Sequence, residues 1–452
     1  MITTEAPVPN SKSDSEISDL STIPVPPNAR MSKGALTMAW WSMCSQIFML
    51  IIGATLASHY GARNALIGMA IAVVVFSAIS YVFSRYAIRT GFSVALLSRT
   101  VFGRAGAVIA TLIFAATNIY YGVFESSVVA LALNQLVPKI PFVVAALIVV
   151  IYSVVLMFGK IQQWFDKLNG ILLPFYIIGL IGTLVMATSH YGYNAHWLHL
   201  GPKGEFAKSG WWDCFAYYMG ACALFMAATD FARFGREADM EYHSKFNFGF
   251  PFWLMTIVVN GAAGIYLVAT IPTGAQISEI SVVFALLALM GIWGFVFIWI
   301  TQTRINSASY FLGIVNTHAF FSQAFRLNLP RLFWVIAVGV IVYLLMLSDI
   351  FSHLLLALAY QGVFIVAWVG VVLSQVLMHP TAVPDLSKAP LVNYPATLAW
   401  LAATVVGLVL MNMPELKGWS APLTFVCAII VHRVLSAIMR PSDTLRNTSM
   451  PT

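Results

Sequence analysis

The sequence predicts an all-α polytopic membrane protein with about twelve transmembrane helices. The 452 residues are 60% hydrophobic, only 9% are charged, and long apolar runs alternate with short polar segments. A chain of this composition cannot cover a soluble surface with polar side chains. Each run approaches or exceeds the length of about 20 residues that a helix needs to cross a hydrocarbon core of roughly 30 Å. The predicted spans are 36–57, 65–84, 105–133, 140–159, 168–188, 211–229, 248–271, 281–316 (long and bent), 330–348, 351–378, 392–412 and 418–438.

Polar tails flank these spans. The segment 1–33 is rich in Ser, Pro, Asp and Glu and has no apolar region after the initial Met, so we predict a disordered cytoplasmic tail and no cleaved signal. A second cytoplasmic tail is predicted at 441–452. Disulfides are not expected, because all four cysteines lie in or at the edge of predicted spans. They are Cys44, Cys214, Cys222 and Cys427.

The distribution of basic residues predicts the orientation in a cell (inner or plasma) membrane. If both termini are cytoplasmic, 18 of the 24 Lys and Arg residues fall in cytoplasmic segments, five fall in external loops, and Arg304 lies inside a span. Cytoplasmic loops carry such an excess of basic residues. The net charge of +7 therefore reflects topology, and we expect no nucleic-acid partner and no obligate protein partner.

The sequence carries no pattern of catalytic chemistry. We find no HExxH, nucleophile elbow, Walker loop or CxxC motif, and no metal-ligand spacing. We therefore expect neither an enzyme nor a cofactor, and no metal beyond a possible sodium ion. Polar residues inside the spans must indicate the function.

Two spans contain small and polar residues at mid-membrane, and each is the first span of a five-helix half. Matching interruptions predict inverted repeats whose unwound helices hold substrate and ion. The alternative is that these small residues only permit close helix packing. The halves are 34–190 and 205–380, followed by two peripheral helices in 390–440; the interruptions are Ser42, Cys44, Ser45 and Gln46 in span 1 and Gly220-Ala221-Cys222-Ala223 in span 6.

Two motifs resemble the nucleobase:cation symporter-1 family, which includes cytosine, purine, hydantoin and allantoin permeases. Arg89-Thr-Gly-Phe-Ser-Val-Ala-Leu-Leu-Ser-Arg-Thr-Val-Phe-Gly-Arg-Ala-Gly106 resembles the family's loop between helices 2 and 3. Thr229-Asp-Phe-Ala-Arg-Phe-Gly-Arg236 resembles the signature that follows helix 6. The resemblance covers roughly 25–440 and implies a leucine-transporter-like fold, with ten core helices in two inverted halves plus two peripheral helices.

The same resemblance implies a substrate site between spans 1, 3, 6 and 8. It also implies that the backbone carbonyls of Ser42 and Ser45, with the Thr301 hydroxyl, face a coupling cation. The implied substrate contacts are Gln46 on span 1, Tyr121 and Glu125 on span 3, Gly220 and Ala221 on span 6, and Gln302 and Asn306 on span 8.

The residue types on span 3 fit a flat heterocycle. An aromatic face can stack on a planar ring, which is worth roughly 1–3 kcal/mol in base-stacking proteins. Glu125 lies one helical turn from Tyr121, and a carboxylate accepts two N–H bonds from an aminopyrimidine-like edge. The alternatives are interhelical packing for Tyr121 and a structural ion pair with Arg304 for Glu125.

Arg304 is the second intramembrane charge, and a lone Arg at this depth needs a partner. Glu125 and Asp230 are the acidic candidates, and the sequence does not choose between them. Asp230 also lies three residues before Arg233, which we interpret as a cytoplasmic-gate or helix-end pair and not as a ligand contact.

The coupling ion is predicted from a departure on span 8. The family pairs two hydroxyls for sodium, whereas Ile300 precedes Thr301 here; shifting the alignment by one residue pairs Thr301 with Gln302 instead. Because one ligand is missing, we favour a proton carried by Glu125, whose burial penalises its charged form.

We therefore predict a secondary active transporter that imports a purine or an aminopyrimidine such as cytosine by proton symport. One alternative is a sodium-coupled permease for hydantoin, allantoin or a thiamine-precursor pyrimidine. The other is an uncoupled facilitator or a transporter-like sensor.

Overall fold

The computed structural model describes residues 23–202, 209–272, 280–348 and 353–439, without the side chains of 159–172 and 354. Most of the predicted tail 1–33 and all of 441–452 lie outside the described residues. Regular structure in the described ranges is helical throughout. The principal helices are α1 (Lys33–Trp41), α2 (Ile47–Tyr60), α3 (Ala62–Thr90), α4 (Val94–Leu136), α5 (Phe142–Leu156), α6 (Gly159–Tyr191), α7 (Gly210–Met219), α8 (Ala223–Ala232), α9 (Asn260–Thr270), α10 (Ser281–Met290), α11 (Ile292–Phe325), α12 (Arg331–Met346), α13 (Leu354–Met378), α14 (Tyr394–Met411) and α15 (Ser420–Ile438).

The predicted all-helical membrane fold is confirmed. Within the described residues, nine helices are long and apolar enough to cross a membrane, and α5, α10 and α12 are shorter apolar helices. Every predicted span overlaps a helix. The span that ends at Thr270 begins at Glu237 and contains two π-helical segments, His243–Asn247 and Leu254–Val259, before α9.

The predicted span 281–316 is two helices. Gly291 separates α10 from α11 with φ 54° and ψ −124°, a conformation that a residue with a Cβ rarely adopts. A Cβ on Gly294 would collide with the backbone of Leu286, so the two helices approach closely after this turn. The predicted bend of this span is therefore a tight turn at Gly291, although the apolar run continues through it.

The region predicted as the loop between spans 2 and 3 is almost entirely helical. α3 continues to Thr90, only residues 91–93 are non-helical, and α4 begins at Val94 with its amino end capped by the Ser93 hydroxyl. A kink at Gly103 (φ 83°) turns the N–H groups of Arg104 and Ala105 toward carbonyls at 390 and 391. The connection before α14 therefore replaces the helical hydrogen bonds that the kink removes.

The two predicted interruptions differ from each other. Between α1 and α2 the chain forms a 3-10 turn, Ser42–Ser45, and Gln46 is extended (φ −78°, ψ 114°). Between α7 and α8 the turn Gly220–Cys222 tightens to 3-10 geometry but keeps helical φ and ψ. Only the first helix is broken, so the prediction of unwound helices in both halves is wrong for the second.

Part of the predicted disordered tail contacts the helices. The Val25 N–H donates to the Gly91 carbonyl at 2.9 Å, and the Met31 N–H donates to the Phe234 carbonyl at 2.8 Å. The Arg30 guanidinium bonds the carbonyls of Ile88 and Gly235 at 2.6 and 2.9 Å. Because these bonds join the segment to helix ends on the predicted cytoplasmic face, the prediction of disorder is wrong for residues 25–31.

Small residues allow the core helices to approach closely. α2 packs along α9, α4 packs along α11, and α14 and α15 pack on each other and on α13. A Cβ on Gly53 would lie 2.5 Å from the Gly261 Cα, so α2 and α9 are in backbone contact there. Small residues permit this approach in apolar surroundings. The contact fixes α2 beside the site described next.

Candidate substrate site

A small cavity lies beside the break between α1 and α2. Its volume is about 40 Å³, and α2, α4, α8 and α11 all contribute to its wall. A water molecule occupies about 30 Å³ of liquid, so the cavity is nearly closed in this conformation. The residues that carry its chemistry are Gln46, Phe48, Asn118, Tyr121, Glu125 and Ser309.

Glu125 is the charged group of this inner cavity. It is 4% exposed, and its Oε2 accepts a hydrogen bond from the Ser309 hydroxyl at 2.9 Å. Among the described residues, no ion pair to an Arg or Lys is found for this carboxyl. The predicted alternative of a Glu125–Arg304 pair is therefore wrong in this conformation. A buried carboxyl with one neutral donor remains able to accept bonds from a ligand.

Tyr121 lies one turn before Glu125 and lines the same cavity. Its hydroxyl accepts a hydrogen bond from the Gln361 side chain at 3.0 Å. Phe48 meets its ring edge to face, with centroids 5.6 Å apart. Gln361 of α13 and Phe48 of α2 therefore hold the Tyr121 ring in place, and part of the ring faces the cavity.

Gln46 faces the cavity from the break itself. It is 6% exposed, and its side-chain amide has no hydrogen-bond partner among the described residues. Its amide atoms open onto the cavity, where a polar ligand could both donate to them and accept from them.

Arg304 and Gln302, at the middle of α11, form hydrogen bonds with the backbone of the broken helix. The Arg304 guanidinium donates to the Ser42 carbonyl, near the end of α1. The Gln302 Oε1 accepts from the Ile47 N–H at 3.3 Å, at the start of α2. Neither residue lines the inner cavity. The prediction that Arg304 pairs with Glu125 or Asp230 is wrong, because its partner is a backbone carbonyl.

Two of the three predicted cation ligands, Ser42 and Thr301, form hydrogen bonds within the protein. The Thr301 hydroxyl donates to the carbonyls of Phe297 and Ile298 on its own helix, at 2.7 and 3.1 Å. The Ser42 carbonyl accepts from the Ser45 hydroxyl at 2.8 Å in addition to Arg304. Both lone pairs of that oxygen are therefore occupied.

Asn306 lies on a different side of α11 from the cavity. Its amide nitrogen donates to Ser126 at 2.9 Å and to Ser153 at 3.2 Å, which links α11 to α4 and α5. Ile305, Ser309 and other residues on an adjacent strip of α11 face the cavity instead. Sequence reasoning missed Ser309, a small hydroxyl residue one turn after Ile305 in a largely apolar helix.

The second half contributes different residues from those predicted. Ala223, Leu224 and Ala227 of α8 line the inner cavity, whereas Gly220 lines a larger outer cavity of about 320 Å³ and Ala221 lines neither. A Cβ on Gly220 would lie 2.7 Å from the Leu358 carbonyl oxygen, so this glycine permits close packing of α13.

The outer cavity lies on the face opposite the termini and has aromatic and acidic walls. Trp212 and Trp419 pack with ring centroids 4.5 Å apart. Tyr60, Tyr217, Asp213 and Glu415 also contribute to its lining. One 3-10 turn of the α7–α8 helix separates the outer cavity from the inner one.

The inner cavity is closed toward the predicted cytoplasmic face. Trp40 is fully buried and packs against Phe231, Phe248 and Phe252, with ring centroids 5.6, 5.0 and 4.6 Å away. This cluster joins α1 to α8 and to the segment before α9.

Asp230 and Arg233 form a helix-end pair at the same face. The Arg233 Nε lies 4.0 Å from the Asp230 Oδ1, and that oxygen accepts the Val94 N–H at 2.9 Å. The carboxylate therefore caps the first turn of α4, where orphan N–H groups favour an acceptor. Both residues lie outside the inner cavity lining.

In the described part of the chain, no group of three or more His, Cys, Asp or Glu side chains could hold a metal ion. The polar groups of the inner cavity are suited instead to an organic ligand with hydrogen-bonding edges.

The fold is similar to that of solved membrane transporters. Mhp1, described as a nucleobase-cation-symport-1 family transporter in a closed conformation with bromovinylhydantoin bound, is 15% identical, with a TM-score of 0.70 over 92% of this chain and 96% of that chain. Mhp1 in its inward-facing conformation is 14% identical, with a TM-score of 0.73 over 92% and 93%. A sodium-coupled sialic acid symporter is 12% identical, with a TM-score of 0.61 over 92% and 91%.

The sequence itself matches no protein-family model and no curated protein. Likeness at this level of identity establishes the architecture and not the activity. The chain has the leucine-transporter-like fold that its sequence predicted.

Proposed function

We propose that this protein is a secondary active transporter that imports a planar, nitrogen-rich heterocycle across a cell membrane by proton symport, with both termini cytoplasmic. The proposed substrate class is a purine or an aminopyrimidine such as cytosine. One observation carries the proposal: Glu125 is buried at a cavity wall beside Tyr121 and Gln46, with no cationic partner among the described residues.

The three side chains complement such a ring. The Glu125 carboxyl, when protonated, accepts an N–H bond through its carbonyl oxygen and donates its O–H to a ring nitrogen, and the Gln46 amide both donates and accepts. Tyr121 offers a ring face for stacking, worth about 1–3 kcal/mol by analogy with base-stacking proteins. A mostly apolar cavity with few convergent polar groups is typical of small-molecule sites.

Glu125 is also the proposed proton carrier. An ionised carboxylate in a water-poor site is costly unless it is neutralised or well hydrogen-bonded. The Ser309 hydroxyl is a single neutral donor. The protonated carboxyl keeps a carbonyl oxygen that accepts an N–H and gains an O–H that donates. A substrate that presents an N–H beside a ring nitrogen would bind this form more tightly, and such positive linkage between substrate and proton is what symport requires.

Transport requires a change of shape at this site. The inner cavity of about 40 Å³ is far smaller than the roughly 300–1,000 Å³ of ordinary ligand sites. The outer cavity of about 320 Å³ supplies an external vestibule, while the Trp40 cluster closes the other side. Substrate entry would open the turn between the two cavities, and release would separate α1 from α8.

A hydantoin is the second candidate substrate, because the structurally similar Mhp1 is described with bromovinylhydantoin bound. A hydantoin is also flat and presents N–H and carbonyl groups that Gln46 could bind. Sodium coupling would accompany this alternative, as predicted from the sequence.

The test is uptake by proteoliposomes with an imposed pH gradient, using labelled cytosine, adenine and hydantoin. We expect concentrative uptake of a purine or an aminopyrimidine that a protonophore abolishes. Glu125→Gln should still bind the ligand, but the pH gradient should no longer drive its accumulation inside the proteoliposomes. Glu237→Gln, an exposed carboxyl on the predicted cytoplasmic face, is the matched control and should transport normally.

Gradient-driven uptake that persists in Glu125→Gln would remove this residue from coupling. Downhill uptake alone in the wild type would favour the facilitator, and ligand binding without flux would favour the sensor.

A further inference from the structure

The break between α1 and α2 leaves helix ends inside the membrane that require partners. The last carbonyls of α1 and the first N–H groups of α2 cannot be satisfied within either helix. Water is scarce at this depth, so each unpaired backbone group is costly. The partial negative charge at a helix carboxyl end attracts a cation, and unwound carbonyls in transporters of this architecture commonly coordinate one.

The Arg304 guanidinium lies at the carboxyl end of α1. It donates to the Ser42 carbonyl, and Arg304 is 3% exposed. The Cys44 carbonyl in the same turn is also occupied, because it accepts from the Asn260 amide at 2.6 Å. Asn260 is in turn held by the Tyr176 hydroxyl at 2.9 Å.

The charge of Arg304 is not balanced by an acid. Among the described residues, the guanidinium forms no ion pair with a carboxylate, and its Nε has no hydrogen-bond partner. Its positive charge therefore meets carbonyl dipoles, as the charge of a bound metal cation would. Arg suits this position because it stays protonated and is less strongly hydrated than an ammonium group.

We infer that Arg304 is a built-in cation that replaces a dissociable metal ion at the end of α1. The Ser42 carbonyl that a sodium ion would need is already occupied by Arg304 and the Ser45 hydroxyl. Arg304 is a positioning residue, because it acts through the geometry of the break and does not line the substrate cavity. Ligand binding and transport should therefore be independent of sodium.

The first test measures ion-specific stability and does not rest on the proposed function. Purified wild type, Arg304→Met and Arg304→Lys are heated in guanidinium, sodium or choline chloride at millimolar concentration and equal ionic strength. We expect no difference between the salts for the wild type. Arg304→Met should melt at a lower temperature in choline and recover part of the loss in guanidinium, because a small cation can bind the exposed carbonyl.

Arg89→Met is the matched control. The Arg89 guanidinium also donates to a backbone carbonyl, that of Pro380, but it lies at the surface, where water can replace it. This variant should show no guanidinium-specific recovery. Arg304→Lys keeps a cation but loses the planar donor geometry, so its melting temperature should lie between those of the wild type and Arg304→Met.

The second test is uptake of whichever heterocycle the wild type transports, in sodium or choline chloride at one fixed pH gradient. The wild type should give equal rates, and Arg304→Met should lose about tenfold, with partial rescue by guanidinium. If Arg304→Met does not fold, two measurements still test the inference. They are the wild-type rates in sodium and in choline, and the rates of Arg304→Lys.

Sodium-specific stabilisation or stimulation of the wild type would overturn the inference, and so would Arg304→Met that matches the wild type in every salt. Failure to find a transported heterocycle would count against the proposed function. The melting experiment would still test whether Arg304 replaces a metal cation.

Discussion

The Ser309 hydroxyl donates a hydrogen bond to the Glu125 carboxyl at 2.9 Å, and this bond joins α11 to α4 at the wall of the inner cavity. It is the one hydrogen bond to that carboxyl in the described part of the chain. The position of the carboxyl relative to an incoming ligand therefore depends on this hydroxyl.

Ser309→Ala should weaken substrate binding without unfolding the protein. The carboxyl would lose the bond that positions it for the ligand, and a neutral hydrogen bond contributes about 0.5–1.5 kcal/mol, so we expect the dissociation constant to rise by up to roughly tenfold. Titration by calorimetry or by ligand-induced thermal shift measures the change. Ser307→Ala, which removes a hydroxyl that bonds only the Arg304 carbonyl of its own helix, should bind as the wild type does. Equal affinity of Ser309→Ala and wild type would contradict the assigned contact.

Tyr121 should act through its ring and not through its hydroxyl. Tyr121→Phe keeps the stacking face and loses only the bond from Gln361, so we expect little change in KM. Tyr121→Ala should lose about 1–3 kcal/mol of binding. Initial uptake rates give KM and kcat for each variant.

Tyr120 provides the control for that pair. It is adjacent in sequence but does not line the inner cavity. Tyr120→Ala should therefore change stability more than KM. A large rise of KM in Tyr120→Ala, or none in Tyr121→Ala, would argue against stacking at Tyr121.

Gly53→Ala should destabilise the fold through the contact between α2 and α9. The added Cβ would lie 2.5 Å from the Gly261 Cα, and overpacking a close contact typically costs about 1–3 kcal/mol. Gly182→Ala is the matched variant in α6, where a Cβ would meet nothing within 4 Å. It should be neutral or slightly stabilising, because Ala favours a helix over Gly by up to about 1 kcal/mol. Melting of both variants in detergent compares them, and a more stable Gly53→Ala would refute the close approach.

Arg30→Ala should loosen the segment 25–31 from the helix ends. The variant loses the bonds to the carbonyls of Ile88 and Gly235. We expect faster hydrogen exchange at the N–H groups of Val25 and Met31, which are bonded to Gly91 and Phe234 in the wild type. Exchange at α14 should not change and serves as the internal control. Unchanged protection at Met31 would show that Arg30 does not hold the segment.

Much of the fold could be predicted because apolar runs of about 20 residues leave few other structures. The site was predicted in part for an equally simple reason: Tyr121 and Glu125 are one turn apart, and a polar residue such as Gln46 inside an apolar span has few alternatives to a functional contact. All three line one cavity in the structure.

The contacts of Arg304 and Gln302 could not be predicted because their partners are backbone groups. Arg304 bonds the Ser42 carbonyl and Gln302 bonds the Ile47 N–H. These acceptors and donors become available only where the first helix breaks. An acidic residue can be recognised in a sequence as a candidate partner for Arg. A backbone carbonyl freed by a helix break cannot, because every residue has one. The position of the bend predicted in span 281–316 could not be given, since a single glycine such as Gly291 inside a continuous apolar run is compatible with an unbroken helix.

The extended backbone of Gln46 has a mechanical consequence. α2 is fixed against α9 by the glycine contact, whereas α1 is attached to α2 through one residue of non-helical conformation. Rotation about the ψ bond of Gln46 would swing α1 as a rigid arm and carry Trp40 away from its aromatic neighbours. It would also break the bonds of the Ser42 and Cys44 carbonyls to Arg304 and Asn260. Gln46, whose amide faces the cavity, would then also be the hinge. A ligand that immobilises Gln46 would therefore control the rate at which the inner cavity opens toward the predicted cytoplasmic face.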